Sequence, residues 1–259
     1  MTEAEALRTG AATLAQAGIP NPQREARILW RDAPDQSMFF AKIAERATRK
    51  PMSQVLGYRD FYKQRFIVTA DVLDPRPDTE ILVDLALQQK PERILDLGTG
   101  SGCILLSLLD QLEHAQGVGT DISDAALDVA ARNAQAIDVA ARTTFLRSDW
   151  FDAVEGQFDL IVSNPPYIAA VEMDDLQPEV RVYEPRGALT DEADGLTAYR
   201  IITAQAGEYL SAGGRLIVEI GPTQAVAVCE MMAQAGFTDV KVIPDLDGRD
   251  RVVAGRFGK

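Results

Sequence analysis

The stretch RILDLGTGSGCILLSLLDQL, Arg93 to Leu112, decides the fold of this chain. It begins as a buried strand and ends as an apolar helix, and a turn rich in glycine joins the two. Gly98, Gly100 and Gly102 let the backbone turn tightly and approach a ligand where a side chain would clash. In doubly wound α/β folds, nucleotides bind at the loop between the first strand and the first helix. The spacing G-x-G-x-G differs from the dinucleotide motif G-x-G-x-x-G, but this context favours a ligand-binding loop over a bare turn.

Strands and helices alternate from Glu92 to the end of the chain. The segments typical of strands are RILDLG, GVGTD, TTFLRSD, FDLIVSN, GGRLIVEIG and a closing pair, FTDVKVIPD and RVVAGRF. Between them lie segments with helical periodicity, such as SDAALDVAARNAQAI and LTAYRIITAQAGEYL. This βαβ alternation predicts an α/β fold with an open, mostly parallel, doubly wound sheet of the Rossmann-like type.

Three parts are predicted along the chain. Residues 1–57 contain short helical segments with short connections, which indicates a small N-terminal helical bundle. Residues 58–74 are rich in aromatic and β-branched residues and predict a linking β-hairpin. Residues 75–259 form the α/β domain, in which Asp78 and Thr79 are expected to cap the first helix. The helical part either docks a substrate or serves structural packing, and the sequence favours neither role.

The charge balance argues against nucleic acid as a direct partner. The formal net charge is -13 and the sequence pI is about 4.6, whereas proteins that grip phosphates usually carry the opposite charge on one face. Cys103 and Cys229 lie far apart and His114 is the single histidine, so no metal site and no Ser-His-Asp triad is expected. The N-terminus lacks a signal segment and no run approaches the ~20 apolar residues of a membrane span. A cytoplasmic protein, with monomer as the default state, is expected.

Acidic residues follow two of the predicted strands. Asp121 ends GVGTD, about 20 residues beyond the glycines, where an acid can accept both hydroxyls of a ribose. This geometry indicates an adenosine-containing ligand. A helix cap is the weaker alternative, because Ser123 and Asp124 already supply one. Asp149 can bind an adenine amino group and Trp150 can cover the base, with packing of Trp150 against the sheet edge as an equal alternative.

The fourth strand of the α/β domain leads into Asn164-Pro165-Pro166-Tyr167, beside the glycine loop. The two prolines cannot donate backbone hydrogen bonds, so the strand must end there in a rigid turn. The side-chain oxygen of Asn164 and the carbonyl of Pro165 can accept both N–H groups of an amide or aromatic amine. The nitrogen lone pair would then face an electrophilic methyl group. Tyr167 can pack against the planar substrate group, and no strong base is needed because the product can lose its proton afterwards.

Together these motifs resemble the HemK/PrmC family, protein-(glutamine-N5) methyltransferases that modify peptide chain release factors. The resemblance runs nearly end to end, through REARILW, PRPDTE, DLGTGSG, RNAQ, SDWF, VSNPPYI, VRVYEPRGAL and GRDRVVAGR. NPPY alone is moderately specific, since adenine-N6 and guanine-N2 methyltransferases carry close relatives of it, whereas PRPDTE and YEPRGAL are far more specific. Asp74 departs from the family, which usually has an apolar residue there.

The resemblance implies a seven-stranded class I methyltransferase fold, S-adenosylmethionine as cofactor, S-adenosylhomocysteine as product, and no metal. The residues that it assigns to the cofactor are Gly98, Thr99, Gly100, Ser101, Gly102, Asp121 for the ribose, Trp150 for the adenine, and Asn164. It implies that Asn164, Pro165, Pro166 and Tyr167 hold the target glutamine, which lies in the Gly-Gly-Gln loop of class 1 release factors. Arg76 and Glu80 are expected either to shape the pocket or to anchor the start of the helix.

Three other functions are left open by the sequence. A nucleic-acid amino methyltransferase, acting on adenine N6 or guanine N2, is disfavoured by the acidic charge and by the lack of a basic recognition domain. An NAD-dependent oxidoreductase would need another glycine spacing and would leave NPPY without a role. A catalytically silent binding protein is disfavoured because each expected motif residue is present.

Overall fold

The computed structural model describes residues 1–258. The helices before the hairpin are α1 (Glu3–Gln16), α2 (Pro22–Asp32), α3 (Gln36–Ala47) and α4 (Met52–Leu56). A capping box starts α1, because Thr2 Oγ1 accepts a hydrogen bond from Glu5 N at 3.3 Å and Glu5 Oε2 accepts one from Thr2 N at 2.8 Å. The apolar faces share one core, in which Trp30 packs edge-on against Phe39. Helices this short are marginal alone, so this shared core stabilises the bundle.

A two-stranded hairpin follows the bundle. Strands β1 (Tyr58–Phe61) and β2 (Gln64–Ile67) are antiparallel. The two turn residues, Tyr62 and Lys63, have φ values of +43° and +69°, as the favoured two-residue hairpin turns require.

The rest of the chain alternates between strands and helices. After a 3₁₀ turn (Pro77–Thr79), the elements are α5 (Glu80–Leu87), β3 (Arg93–Leu97), α6 (Cys103–Gln111), β4 (Gln116–Asp121), α7 (Asp124–Ala136), β5 (Thr143–Arg147), β6 (Phe158–Ser163), α8 (Pro178–Tyr183), α9 (Thr197–Tyr209), β7 (Leu210–Glu219), α10 (Ala225–Gln234), β8 (Phe237–Pro244) and β9 (Asp250–Phe257). The seven-stranded sheet has the order β5-β4-β3-β6-β7-β9-β8. The pairs from β5 to β7 are parallel, and the closing pair β8–β9 is antiparallel, as is β7–β9. The predicted fold class is confirmed.

Helices cover both faces of the sheet. Along β6, Leu160 and Val162 belong to the core beneath α5 and α6, whereas Ile161 belongs to the core beneath α9 and α10. Burial on both faces explains why this strand is a continuous apolar run and not an alternating one.

The connection between β6 and α9 reaches back to the helical bundle. Glu179, on α8, accepts hydrogen bonds from Arg46 NH1 at 3.3 Å and Arg49 NH2 at 2.7 Å. The hydroxyl of Tyr183, at the end of the same helix, donates to Thr48 O at 2.7 Å. The segment that follows the NPPY turn is therefore tied to the end of α3.

Candidate active site

A cavity of about 680 Å³ lies at the carboxyl edge of the sheet, where β3, β4, β5 and β6 end. The chain runs outward from β3 to β5 and then returns to β6 on the other side of β3. The connections therefore leave in opposite directions at this point, and ligands of open α/β sheets bind at such topological switch points. The volume lies within the range of roughly 300–1,000 Å³ that small-molecule sites occupy.

Hydrogen bonds hold the glycine loop in place at one wall of the cavity. Thr99 N donates to Thr120 O at 2.8 Å, and Gly100 N donates to Asp121 Oδ2 at 2.9 Å. Gly98 and Gly100 have φ values of +69° and +54°, which other residues rarely adopt. A Cβ on either glycine would meet nothing within 4 Å. The loop backbone therefore faces open space, where a ligand can approach it closely.

A buried carboxyl group supports this loop from inside the sheet. Asp96 is fully buried and accepts a hydrogen bond from Thr99 Oγ1 at 2.7 Å. Burial raises the pKa of Asp96 to about 7; the hydrogen bond from Thr99 opposes this shift, and the charge of Asp121 adds to it.

Asp121 borders the cavity with its carboxylate already oriented by the backbone. Oδ2 accepts from Gly100 N and Oδ1 accepts from Ser123 N, each at 2.9 Å. A carboxylate can accept about four hydrogen bonds, so both oxygens keep capacity for ligand hydroxyls. Ser123 also caps α7 as predicted, since its hydroxyl accepts from Ala126 N at 3.2 Å. Ile122 lines the same cavity while 63% exposed. The sequence analysis did not predict Ile122 as a cavity residue, although its position directly after Asp121 could have indicated it.

Asp149 and Trp150 line the cavity after β5. Trp150 has a φ of +50°, and Ser148 fixes this turn because its hydroxyl donates to Trp150 O and accepts from Ala153 N, each at 2.9 Å. The Trp150 side chain also packs against the core cluster that contains Phe151. Trp150 therefore borders the cavity and also packs against the interior, and its role in covering a base stays a prediction.

The NPPY turn lies beside the glycine loop. In the parallel pairing of β3 with β6, Leu97 is opposite Ser163, and Ser163 Oγ donates to Leu97 O at 2.7 Å. Asn164 and Pro166 both line the cavity. The parallel register therefore brings the Asn164 amide to the edge of the sheet where the glycine loop begins.

The other two NPPY residues support the turn from the interior. Pro165 is buried, and Tyr167 packs against the core that also contains Phe158, where burial raises its pKa. Tyr167 O accepts a hydrogen bond from Gln224 Nε2 at 2.8 Å, and the same nitrogen donates to Gly195 O at 3.0 Å. Gln224, directly before α10, thus holds the turn through these two hydrogen bonds. No local pattern in the sequence marks Gln224 for this contact.

Arg76 and Glu80 have different surroundings. Arg76 lines the cavity, and its NH2 donates to both carboxylate oxygens of Glu184 at 2.7 and 2.9 Å. Burial raises the pKa of Glu184 to about 7, while the charge of Arg76 opposes this shift. Glu80 accepts a hydrogen bond from Tyr62 N at 3.0 Å and so anchors the hairpin turn to the start of α5.

Thr79 also lines the cavity, a position that the sequence did not predict. The prediction that Asp78 and Thr79 cap α5 is wrong for Thr79, whose side chain makes no cap hydrogen bond. Thr79 has helical dihedral angles, φ −67° and ψ −20°, because the 3₁₀ turn runs directly into α5, whereas a capping residue needs extended ones. Its Oγ1 instead donates to Glu219 Oε2 at 2.6 Å. The carboxylate of Asp78 lies 3.4 Å from the Arg251 guanidinium.

The remaining groups that could carry chemistry lie apart from this cavity or are unreactive. Among residues 1–258, no group of three or more His, Cys, Asp or Glu side chains is placed to hold a metal ion. Burial raises the pKa of the Cys103 thiol to about 12 and also raises that of Cys229, so neither is a ready thiolate. Over the same described range, no helix has the length and apolar character needed to cross a membrane.

The seven-stranded sheet, with the glycine loop and the cavity at its switch point, has the arrangement of the class I methyltransferase fold. A solved methyltransferase from Pyrococcus furiosus has the same fold, with a TM-score of 0.59 and 16% identity over 85% of this chain and 98% of that one. The family model "Methyltransferase small domain" matches residues 61–180.

Two curated relatives give the particular family. The release factor glutamine methyltransferase of Cereibacter sphaeroides is 48% identical over 99% of this chain and 99% of that protein. The release factor glutamine methyltransferase of Geobacter sulfurreducens is 48% identical over 83% of this chain and 76% of that protein. This chain belongs to the release factor glutamine methyltransferase family, which confirms the resemblance carried by its motifs.

Proposed function

We propose that this enzyme transfers a methyl group from S-adenosylmethionine to N5 of the glutamine in the Gly-Gly-Gln motif of class 1 release factors and thereby modulates translation termination. The observation that carries the proposal is the position of Asn164, on the cavity wall directly beside the glycine loop. The names of the relatives support a release factor as the substrate. We also propose that the enzyme is cytoplasmic and acts as a monomer.

The cavity fits the cofactor on its own geometry. Gly98 and Gly100 leave open space above their backbone, so the glycine loop would hold the amino-acid end of the cofactor, together with Thr99, Ser101 and Gly102. The carboxylate of Asp121 would accept the ribose hydroxyls. Trp150 and the exposed Ile122 would cover the adenine ring. When bound, the cofactor supplies an electrophilic methyl group on a sulfonium centre.

The NPPY turn would orient the target amide. An amide nitrogen is a poor nucleophile because its lone pair is delocalised into the carbonyl group. Two acceptors, Asn164 Oδ1 and Pro165 O, would bind the two N–H groups and turn the lone pair towards the methyl group. Since hydrogen bonds from Ser163 and Gln224 to the protein backbone hold the turn, its two acceptors would be preorganised for the transition state. The proton on nitrogen is lost to water after transfer.

The helical bundle would dock the body of the release factor. It is joined to the segment after NPPY through Arg46, Arg49 and Glu179. A substrate bound to the bundle would therefore be held at a fixed distance from the cavity, which lowers the entropy cost of bringing a flexible loop to the site.

The test uses the purified protein, labelled S-adenosylmethionine and an unmodified class 1 release factor. Parallel reactions contain a release factor whose Gly-Gly-Gln glutamine is changed to alanine, and DNA or RNA. Label in the intact release factor alone is the expected result. Label in nucleic acid with none in the protein would overturn the proposal and favour an adenine or guanine amino methyltransferase.

A further inference from the structure

A chain of hydrogen bonds links three side chains and runs from the cavity wall into the interior. Asn164 Nδ2 donates to Thr79 Oγ1 at 3.3 Å, and Thr79 Oγ1 donates to Glu219 Oε2 at 2.6 Å. Thr79 and Glu219 are only 2% and 1% exposed. The register of β6 and β7 places Val218 opposite Ser163, so Asn164 and Glu219 leave adjacent strands at the same level. Thr79 lies within PRPDTE, a motif that the sequence did not link to Asn164, and Glu219 lies outside the motifs that mark the site.

The direction of these hydrogen bonds decides which end of the Asn164 amide faces the cavity. The Thr79 hydroxyl has one proton, and an ionised carboxylate can only accept. Once that proton is donated to Glu219, the Thr79 hydroxyl can only accept from Asn164. The NH2 group of the Asn164 amide must therefore face Thr79. The two ends of an Asn side chain are nearly equal in size, so polar partners and not steric fit select the orientation.

We propose that Thr79 and Glu219 are positioning residues, which fix the Asn164 amide so that its oxygen is free to accept the N–H of the target amide. This inference rests on the proposed function, since it concerns the orientation of the group that holds the target. With Thr79 unable to donate to Asn164, the reversed orientation would set two acceptors against each other. This chain of hydrogen bonds therefore turns the side-chain oxygen of Asn164 towards the cavity. An amide substrate requires an acceptor there, because it presents N–H groups.

The charge of Glu219 decides which group donates and which accepts in this chain of hydrogen bonds. A protonated Glu219 can donate to Thr79, whose own proton could then turn towards Asn164 and favour the reversed amide. Burial raises the pKa of Glu219 to about 7, and the hydrogen bond from Thr79 opposes this shift. The other titratable or charged groups that bear on Glu219 are Arg251 on β9, Asp78 and Arg76 before α5, Cys103 on α6, Tyr199 on α9 and Tyr167 of the turn. The correct orientation therefore requires a pH above the range in which Glu219 takes up its proton.

The first test compares Thr79→Val, which removes the hydroxyl at nearly constant shape, with Thr79→Ser, which keeps it. We expect kcat for release-factor methylation to fall about 10- to 100-fold in Thr79→Val and to stay within about threefold of the wild type in Thr79→Ser. The effect should fall on kcat because the hydrogen bond to Asn164 Oδ1 strengthens as the target nitrogen becomes positive. Titration with S-adenosylhomocysteine reports the fold and the cofactor site separately from activity. Thr143→Val is the matched control. The Thr143 hydroxyl donates a hydrogen bond to Val139 O at 2.8 Å, and Thr143 lies at the end of β5 away from the cavity.

The second test measures kcat against pH for the wild type and for Glu219→Gln. Wild-type kcat should fall about tenfold per pH unit below about pH 7, as one protonation predicts, and Glu219→Gln should lack this acidic limb. Three outcomes would overturn the inference. These are a kcat of Thr79→Val equal to that of the wild type, an equal loss of kcat in Thr79→Val and Thr79→Ser, and an unchanged acidic limb in Glu219→Gln. If Thr79→Val fails to bind S-adenosylhomocysteine, the Ser variant and the pH profiles decide. A wild-type enzyme that leaves the release factor unmethylated would instead refute the proposed function, so the two failures are distinguishable.

Discussion

Replacing Glu179 by glutamine should loosen the contact between the helical bundle and the segment that follows the NPPY turn. Glu179 accepts from Arg46 at 3.3 Å and from Arg49 at 2.7 Å, and the side chains of Glu179 and Arg46 are 13% and 5% exposed. Removing one partner of a buried ion pair costs about 3–5 kcal/mol when the other charge is left alone.

The expected cost is smaller here, because Arg46 keeps its 2.7 Å bridge to Glu25 and Arg49 keeps its hydrogen bond to Gly18 O. The main loss is then one charge-assisted hydrogen bond, about 2 kcal/mol. With a urea m-value of about 2 kcal/mol/M, the midpoint of bundle unfolding should shift down by about 1 M.

Fluorescence can follow the bundle alone. The chain has two tryptophans, Trp30 in α2 and Trp150 at the cavity, so a Trp150→Phe background leaves Trp30 as the reporter. The control is Glu45→Gln, because the Glu45–Lys50 pair is exposed and should contribute less than about 0.5 kcal/mol. A midpoint that moves no further in Glu179→Gln than in Glu45→Gln would refute the reasoning.

Three further perturbations separate the parts of the site. Asn164→Ala should lower kcat about 100- to 1,000-fold while S-adenosylhomocysteine affinity, measured by calorimetry, changes little; a larger loss of affinity than of kcat would contradict its role in holding the target. Gly119→Ala would place a Cβ 2.9 Å from the Phe145 ring and 3.0 Å from Thr99 Oγ1, so it should cost about 1–3 kcal/mol in thermal denaturation and weaken S-adenosylhomocysteine binding. Gly117→Ala is the control on the same strand face, because the atoms nearest to its Cβ belong to Leu105 and Leu109, and it should leave that affinity unchanged. Equal effects on binding would disprove the link through Thr99. Because burial raises the pKa of Asp96 from 3.8 to about 7, its protonated form stabilises the native state below about pH 4, and this contribution is lost as the pH rises to about 7. Asp96→Asn should flatten that slope in urea midpoints measured across the range, and an unchanged slope would assign it to other groups.

Local pattern was enough to predict the order of elements and the cavity edge. Glycine spacing, apolar runs and the prolines of the NPPY turn constrain the backbone within a few residues, so the local sequence predicts Gly98, Asp121 and Asn164 at strand ends without any tertiary contact. The parallel topology then brings those strand ends to one edge, as the rules for βαβ units require. Membership of the family followed from the same motifs.

The sequence by itself therefore determined the fold class and predicted Gly98, Asp121 and Asn164 at the strand ends that border the cavity, whereas the tertiary structure decided what each polar side chain is paired with. Thr79 has the sequence context of a helix cap, yet its proton goes to Glu219, 140 residues away. Likewise, Arg76 pairs with Glu184 and Arg46 with Glu179, at separations of 108 and 133 residues. Periodicity and turn chemistry act over short stretches of chain, but a buried hydrogen bond depends on which distant segments packing brings within 3 Å of one another, and no local pattern encodes that choice.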